Sequence, residues 1–403
     1  MTDPRPSDQR PLSIITATTL FPNGTKPSHG IFVKNRLKKL LATGEATARV
    51  IAPLGWVPPF LEYPGAAHLR ALPANETIDG IWVAHPRYLI IPKIGMSVTP
   101  FFLYRSMKRA LGAILAAGHP VDLIDAHYFY PDGVAAAWVA RDFGLPVTIT
   151  ARGTDLNLIP QYPAPRRMIQ AAAAMADGLI TVAAALKQSL VELGVAPERI
   201  TVLRNGVDLD FFRPLPRQEA RHGFGLTRRT LGSVGHLIAR KGHHHVIAAL
   251  AQLPDTDLVI AGDGEDKSAL SALAAQLGVE DRVRFLGAVS QDRLRALYGA
   301  LDALVLASSR EGWANVLLEA MACGTPVIAS AVWGTPEVVA GPAAGVLMPS
   351  LDADGVVAGV RQLFADLPAR SATRAYAEQF DWEPTTRGQL VLFRSILARR
   401  AGR

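Results

Sequence analysis

The 403-residue sequence holds a single cysteine, Cys323. That excludes a disulfide framework and any zinc site built from cysteine pairs. No uncharged apolar run reaches the roughly 18–20 residues needed to cross a bilayer. The nearest stretch, 171–186, contains Asp177, is mostly alanine, and reads as a core helix followed by a strand. The first twenty residues, MTDPRPSDQRPLSIITATTL, place no long apolar segment behind their charges, so no signal peptide is expected. There is no internal repeat at a solenoid period. No DxD-type carboxylate pair sits at an expected strand end, so no required metal is expected. His243, His244 and His245 are consecutive and diverge around a helix, which makes them poor joint ligands. Charged residues make up 19% against 49% hydrophobic, a balance that excludes a disordered chain and fits two packed domains.

The net charge of +7 is unevenly placed. Residues 1–213 carry 22 Lys and Arg against 16 Asp and Glu, and the remainder 20 against 19. A basic half beside a neutral one points to an anionic partner: nucleic acid, a lipid surface or phosphorylated substrates.

Short β-branched runs alternate with longer helical patterns. LSIITAT (12–18), ARVIAP (48–53), GIWVAHPRY (80–88), VDLIDAHY (121–128), PVTITARG (146–153) and GLITVA (178–183) read as strands. Helices are expected at 31–41, with basic residues on its open face, and at 101–117 and 133–142. The pattern restarts with TLGSVGHL (230–237), DLVIAGDG (257–264), VRFLGAV (283–289), ALVLAS (303–308) and TPVIAS (325–330). Continuous apolar strands separated by helices imply parallel sheets covered on both faces. The fold class is therefore α/β: two Rossmann-like doubly wound domains facing a central cleft, joined through 200–218, with ligands beyond the carboxyl ends of the strands.

The most informative stretch is SSREGWANVLLEAMACGTPVIAS (308–330). A strand ends, a loop carries Glu311 and Gly312, and a helix starts near Asn315 and carries Glu319. Gly312 permits close backbone approach. N–H groups near Asn315 and Val316 form a phosphate site at the helix start. Two carboxylates eight residues apart then suit hydroxyl-rich groups on either side, the layout of a sugar nucleotide. Glu319 lies in the apolar run VLLEAMA, where an unpaired carboxylate is costly, so it needs a partner such as ligand hydroxyls. Cys323 among small apolar residues reads as core.

The E-x7-E pair in REGWANVLLEAMACGTPVIAS resembles the signature of family 4 retaining glycosyltransferases (glycosyl transferase group 1), which have the GT-B fold. SVGHLIARKGHHHVIAAL (233–250), AGDGE (261–265), LRNGVD (203–208), WGTPEVV (333–339), FPNGTKPSHGIFV (21–33) and DAHYFYPDGVAA (125–137) extend the resemblance over essentially the whole chain. It implies that Glu311 contacts the donor sugar and Glu319 the ribose, that N–H groups at Asn315 and Val316 meet the diphosphate, and that Lys241 neutralises that diphosphate. Many members carry Arg directly after the strand-end glycine; this chain has His236, so Arg240 or His236 is left to supply the second contact. His127 resembles the histidine near the donor sugar, and Gly30 the glycine whose backbone passes the donor phosphate. Arg152 and Asp155 are assigned to the acceptor side or to cleft architecture, an internal pair holding a turn being the alternative. The resemblance implies domains at 1–208 (acceptor side) and 209–380 (donor side), with 381–403 crossing back as a terminal helix and Trp382 at the hinge.

The expected function is retaining transfer of a hexose-type sugar from a UDP- or GDP-sugar to a glycan or lipid-linked acceptor, with no cofactor, in bacterial surface or exopolysaccharide biosynthesis. A cytoplasmic protein, peripheral at the inner face of the membrane, is the matching location. Arg36, Lys38 and Lys39, then Arg105, Lys108 and Arg109 beside Phe101, Phe102 and Tyr104, then Arg166 and Arg167, suit an anionic membrane surface; solvated helix faces are the alternative. Two other classes remain: a nucleotide-sugar 2-epimerase of the same fold, and a non-catalytic sugar-nucleotide-binding protein. Nucleic-acid binding lacks any recognition motif.

Overall fold

The structure is a computed structural model that describes residues 10–57, 71–91 and 95–402. Residues 1–9, on which the absence of a signal peptide partly rests, lie outside the described residues. The chain divides into two compact units, Met1–Arg204 with Glu383–Arg403, and Asn205–Trp382. By sequence the first unit carries 26 Lys and Arg against 15 Asp and Glu, a net +11, and the second 16 against 20, a net −4. The segment Glu383–Arg403 therefore enlarges the charge contrast that the linear halves show.

The first unit is built on an eight-stranded sheet. Its strands are β1 (Leu12–Ala17), β2 (Ala46–Ile51), β4 (Asn75–Ile78), β5 (Ile81–Ala84), β7 (Leu123–His127), β8 (Val147–Ala151), β9 (Gly178–Thr181) and β10 (Ile200–Val202), with a separate pair β3 (Leu54–Trp56) and β6 (Arg87–Leu89). The order is β10-β9-β8-β7-β1-β2-β5-β4, parallel except for the edge pair β4/β5. The segment GIWVAHPRY, expected as one strand, divides into β5 and β6 around His85 and Pro86, because proline has no N–H for the ladder. Residues 200–202, expected as linker, form the edge strand β10.

The second unit holds six parallel strands: β11 (Arg229–Val234), β12 (Thr256–Ala261), β13 (Val283–Gly287), β14 (Ala303–Leu306), β15 (Val327–Ser330) and β16 (Gly345–Met348), in the order β13-β12-β11-β14-β15-β16. Strand order reverses beside β1 in the first sheet and beside β11 in the second. In sheets of this kind ligands bind beyond the carboxyl ends of the strands at such switch points, here β1/β7 and β11/β14. Strands such as β14, ALVL, are buried along their whole length, as expected for sheets covered on both faces. The core of the second unit centres on Leu231, Ile247, Leu258, Ile260, Val305 and Ile328.

The helix Ile31–Ala42 follows β1 and packs on the sheet through Val33, Leu37 and Leu40. Arg36 is not on its open face: it is 2% exposed, donating from Nε to Gln389 Oε1 at 2.9 Å and from Nη1 to Leu203 O at 3.1 Å. Burial lowers its pKa to about 10, against the pull of Asp125. Gln389 lies on the helix Glu383–Ala401, whose Leu390 and Phe393 join the first unit's core. Lys34 and Lys38 both bind Asp79, at 2.9 and 3.1 Å. The basic face expected on this helix is thus largely internal or paired.

Gly30 starts this helix in the left-handed region, φ 62°, and a Cβ there would lie 2.2 Å from the Leu20 carbonyl. Only glycine satisfies both constraints. Gly30→Ala should cost roughly 2 kcal/mol or more and lower the melting temperature of the first unit in calorimetry; an unchanged transition would contradict the close approach.

Candidate active site

In the second unit, β11 ends at Val234 and leads through Gly235 and the turn Ala239–Lys241 into the helix His243–Ala249. Gly242 has φ 69°, and a Cβ there would lie 1.8 Å from Ala307 O. The loop is thereby pressed onto the end of β14. Ser309 N donates to Arg240 O at 2.9 Å, and Arg240 Nη1 donates to Arg310 O at 3.1 Å. Lys241 Nζ donates to Glu311 Oε1 at 2.6 Å. The lysine and the first glutamate, seventy positions apart, therefore meet. Arg240 spends its charge on fastening the two loops. His236 is exposed, and its carbonyl accepts from His243 Nε2 at 3.3 Å. His243 is buried, with Nδ1 2.8 Å from Ser233 Oγ, and burial depresses its pKa to about 4. It is a neutral structural histidine. Among the described residues no cluster of three or more metal-type ligands occurs.

Gly312 lies in the loop between β14 and the helix Asn315–Ala322. Trp313 is buried and donates from Nε1 to Asn205 O at 3.0 Å, while Asn205 Nδ2 donates to Asn315 Oδ1 at 3.3 Å. The Asn315 N–H donates to Trp313 O at 3.0 Å. This corrects the expectation of a free amide at Asn315; the Val316 N–H remains in the helix's first turn, where no intrahelical acceptor exists. Glu319 has a protein partner: Tyr298 OH donates to its Oε2 at 2.9 Å. Burial drives the Glu319 pKa up to about 7, opposed by that hydrogen bond, and lifts Tyr298 well above its usual range. Cys323 is buried and its thiol is pushed up to about 12, in keeping with a core residue.

The first unit has its own polar cluster at the β1/β7 switch point. Asp125 and His127 are two apart on β7 and share a face, with His127 Nε2 3.1 Å from Asp125 Oδ2. His127 Nδ1 lies 2.6 Å from Arg152 Nη2. Burial lowers the His127 pKa to about 4, so the ring is neutral at pH 7. Both ring nitrogens are engaged and the residue is 2% exposed. The two ring nitrogens of His127, the residue expected near the donor sugar, here face Asp125 and Arg152. Arg152 lies over the Phe32 ring, 5.4 Å away, beside the helix start at Gly30. The Asp155 carboxylate accepts from the backbone N–H of Phe129 at 2.6 Å, Gly153 at 2.6 Å and Arg152 at 3.1 Å. Asp155 is architecture, holding loops rather than facing an acceptor. Asp132, buried, accepts from the Thr19 N–H and hydroxyl and has its pKa raised by burial to about 7.

Two family models match, Glycosyl transferases group 1 over residues 216–380 and Glycosyltransferase Family 4 over 50–211. A protein of Catenulispora acidiphila named D-inositol 3-phosphate glycosyltransferase 1 is 31% identical over 366 residues, covering 84% of this chain and 86% of its own length. The chain belongs to the family 4 glycosyltransferases. Among other relatives, the D-inositol 3-phosphate glycosyltransferase of Mycobacterium marinum is 34% identical over 304 residues, 70% of this chain, which spans 64% of that protein's length. Of solved structures, sucrose-phosphate synthase from Thermosynechococcus elongatus superposes with a TM-score of 0.78 at 21% identity, covering 97% of this chain and 100% of that one. Anabaena HepE in complex with UDP-glucose gives 0.69 at 20% identity, covering 97% and 99%. The fold of this glycosyltransferase is GT-B.

Sequence reasoning missed Tyr298, Asn205, Asp125 and Gln389. Each acts through a contact distant in the chain, and only the apolar setting of Glu319 signalled that a partner must exist. The Glu319 carboxyl keeps its proton in the fold between about pH 4.5 and 7 but loses it when unfolded. Its contribution to stability therefore falls as pH rises through that window. Glu319→Gln, which keeps an acceptor for Tyr298, should melt above the wild-type glycosyltransferase at pH 8 and gain little at pH 4.5. A lower melting temperature at pH 8 would refute the buried-carboxylate account.

Proposed function

We propose that this protein transfers a hexosyl group, with retention, from a nucleoside-diphosphate sugar to a hydroxyl of an acceptor that carries phosphate. The observation that bears the reading is the Lys241–Glu311 contact of 2.6 Å beside the first turn of the helix Asn315–Ala322. It sets one ammonium, one carboxylate and a helix N-terminus together at the β11/β14 switch point. A donor diphosphate placed there gains Lys241 and the Val316 N–H, while Glu311 takes sugar hydroxyls and Glu319 the ribose. The acceptor oxygen attacks the anomeric carbon on the face from which the diphosphate leaves. As the new C–O bond forms, the bond to the β-phosphate oxygen breaks, and the acceptor proton passes to that leaving oxygen. Lys241 stabilises the charge that develops, a task that needs no metal or cofactor. HepE holding UDP-glucose supports a uridine nucleotide as donor.

Arg152, a guanidinium at the β1/β7 switch point of the other unit, supports an anionic acceptor. The relatives' name, D-inositol 3-phosphate glycosyltransferase, supports a phosphorylated polyol. A lipid-linked acceptor, with a place in envelope glycan synthesis at the inner membrane face, is the second reading. A specific surface favours it: on the helix Gly95–Ala116, Met96 and Phe101 are 42% and 47% exposed, and the Arg105 guanidinium lies 5.7 Å from the Phe101 ring. Arg109, Arg166 and Arg167 are exposed too. Lys108 is paired with Asp142. Among the described residues no helix is long and apolar enough to cross a membrane, so contact would be peripheral.

Transfer assays with UDP-, GDP- and ADP-hexoses, run in EDTA, should give turnover that falls ~100-fold or more in Lys241→Ala and Glu311→Gln with the fold intact; near-normal turnover would overturn the assignment. Co-sedimentation should show binding to phosphatidylglycerol vesicles that exceeds binding to phosphatidylcholine and weakens in Phe101→Ser with Arg105→Gln. Equal binding to both lipids would remove the lipid-linked reading.

A further inference from the structure

The polar cluster of the first unit does not end at His127. Asp125 Oδ1 accepts from Thr148 Oγ1, its neighbour on β8, at 2.9 Å, and its Oδ2 accepts from Gln389 Nε2 at 2.8 Å. Gln389 Oε1 in turn accepts from Arg36 Nε at 2.9 Å. Arg36, Asp125, His127 and Gln389 are each 2% exposed or less. A continuous chain of side chains therefore runs from Arg36 through Gln389, Asp125 and His127 to Arg152, across 264 sequence positions between Asp125 and Gln389.

The chemistry of the two ends leaves one arrangement of protons. A guanidinium only donates and a carboxylate only accepts. Arg36 therefore requires the amide oxygen of Gln389, which turns the amide N–H toward Asp125. Arg152 requires an unprotonated Nδ1 on His127, so the ring carries its proton on Nε2 and gives it to Asp125. An imidazolium would set N–H against N–H at the 2.6 Å contact with Arg152. His127 thus acts as a strut for Arg152, not as an acid or base. Asp125 stays ionised: its pKa is lowered despite burial, chiefly by His127 and Arg36.

We propose that Gln389 and Asp125 are positioning residues through which the helix Glu383–Ala401 holds the His127 ring in place and so orients Arg152 toward the phosphate of the acceptor. This rests on the reading of Arg152 as the acceptor's anion contact. The arrangement stores Arg152 in one rotamer before the acceptor arrives, so the ordering cost is met by the fold. Glutamine serves where a carboxylate would repel Asp125 and an aliphatic side chain would strand Arg36.

The test uses the full chain with Gln389→Met, Gln389→Glu, Asp125→Asn and Arg152→Gln. Two-bond ¹⁵N spectra of the imidazoles report the His127 tautomer. Calorimetry reports binding of D-myo-inositol 3-phosphate, inorganic phosphate and UDP. In the wild type His127 should show a single Nε2–H tautomer. Asp125→Asn, whose amide can turn either its oxygen or its N–H to the ring, should mix the tautomers. Both Gln389 variants, which leave Asp125 and Arg152 in place, should keep the Nε2–H form yet weaken the inositol phosphate by roughly tenfold, the scale seen when outer partners of an oriented ligand group are lost, with UDP affinity unchanged. Should either Gln389 variant that still folds keep the wild-type affinity for inositol phosphate, the proposal is overturned. If Arg152→Gln binds inositol phosphate as well as the wild type does, or if the wild type binds neither phosphate probe, the acceptor reading fails instead, and the Asp125→Asn spectra still decide whether Asp125 sets the His127 tautomer. Equal weakening of UDP and inositol phosphate would mark a general structural defect and also overturn the proposal.

Discussion

A charged side chain inside a parallel sheet covered on both faces has no water to turn to, and this constraint shapes both units. The buried ionisable groups named above at the carboxyl ends of these strands are either paired or have their protonation state changed. Arg36, Asp125 and Arg152 belong to one hydrogen-bonded chain. Asp155 is held by three backbone N–H groups. Glu319 and Asp132, whose described partners are hydroxyl and backbone donors rather than cations, are driven toward the neutral acid. Burying such groups is costly unless hydrogen bonds compensate. The Lys241–Glu311 pair and the His127–Arg152 pair stand at the two switch points.

How much of this the linear chain reveals depends on how local each device is. The alternation of apolar runs and helical stretches announces two parallel sheets, because burial on both faces leaves its mark on consecutive residues. Edge strands such as β10 and β16 are too short to show a period, and β4 joins antiparallel through a tight turn at Asp79 and Gly80. Glu311, Gly312 and Glu319 are legible because one loop and one helix hold them in a fixed spacing. The pairing of Lys241 with Glu311 is legible only as two motifs, since nothing in either predicts that Gly242 seats its loop on the end of β14. Arg36 misleads most. A basic residue among lysines on a helix reads as surface, and only the return of the chain at Gln389 explains why it is interior.

The same return alters the electrostatic picture. The linear halves differ by a few charges, whereas the compact units stand at +11 and −4. Much of the extra positive charge comes from the arginines of the helix Glu383–Ala401, some of which are tied down, as Arg394 is to Glu45 and Arg400 to Asp177. Arg105, Arg109, Arg166 and Arg167 stay exposed. Overall charge is therefore a poor guide to where an anion docks, and the distribution after pairing is a better one.

A unit assembled from two distant stretches of chain also has a history during synthesis. Domains usually fold as they leave the ribosome, amino-terminal part first. Here β1 to β10 emerge early, but the glutamine that bridges Arg36 and Asp125 is made only after all of Asn205–Trp382. Until then a guanidinium and a carboxylate sit in a sheet core without their bridge. The link between Arg36 and Asp125 can therefore form only after the whole of Asn205–Trp382 has been made.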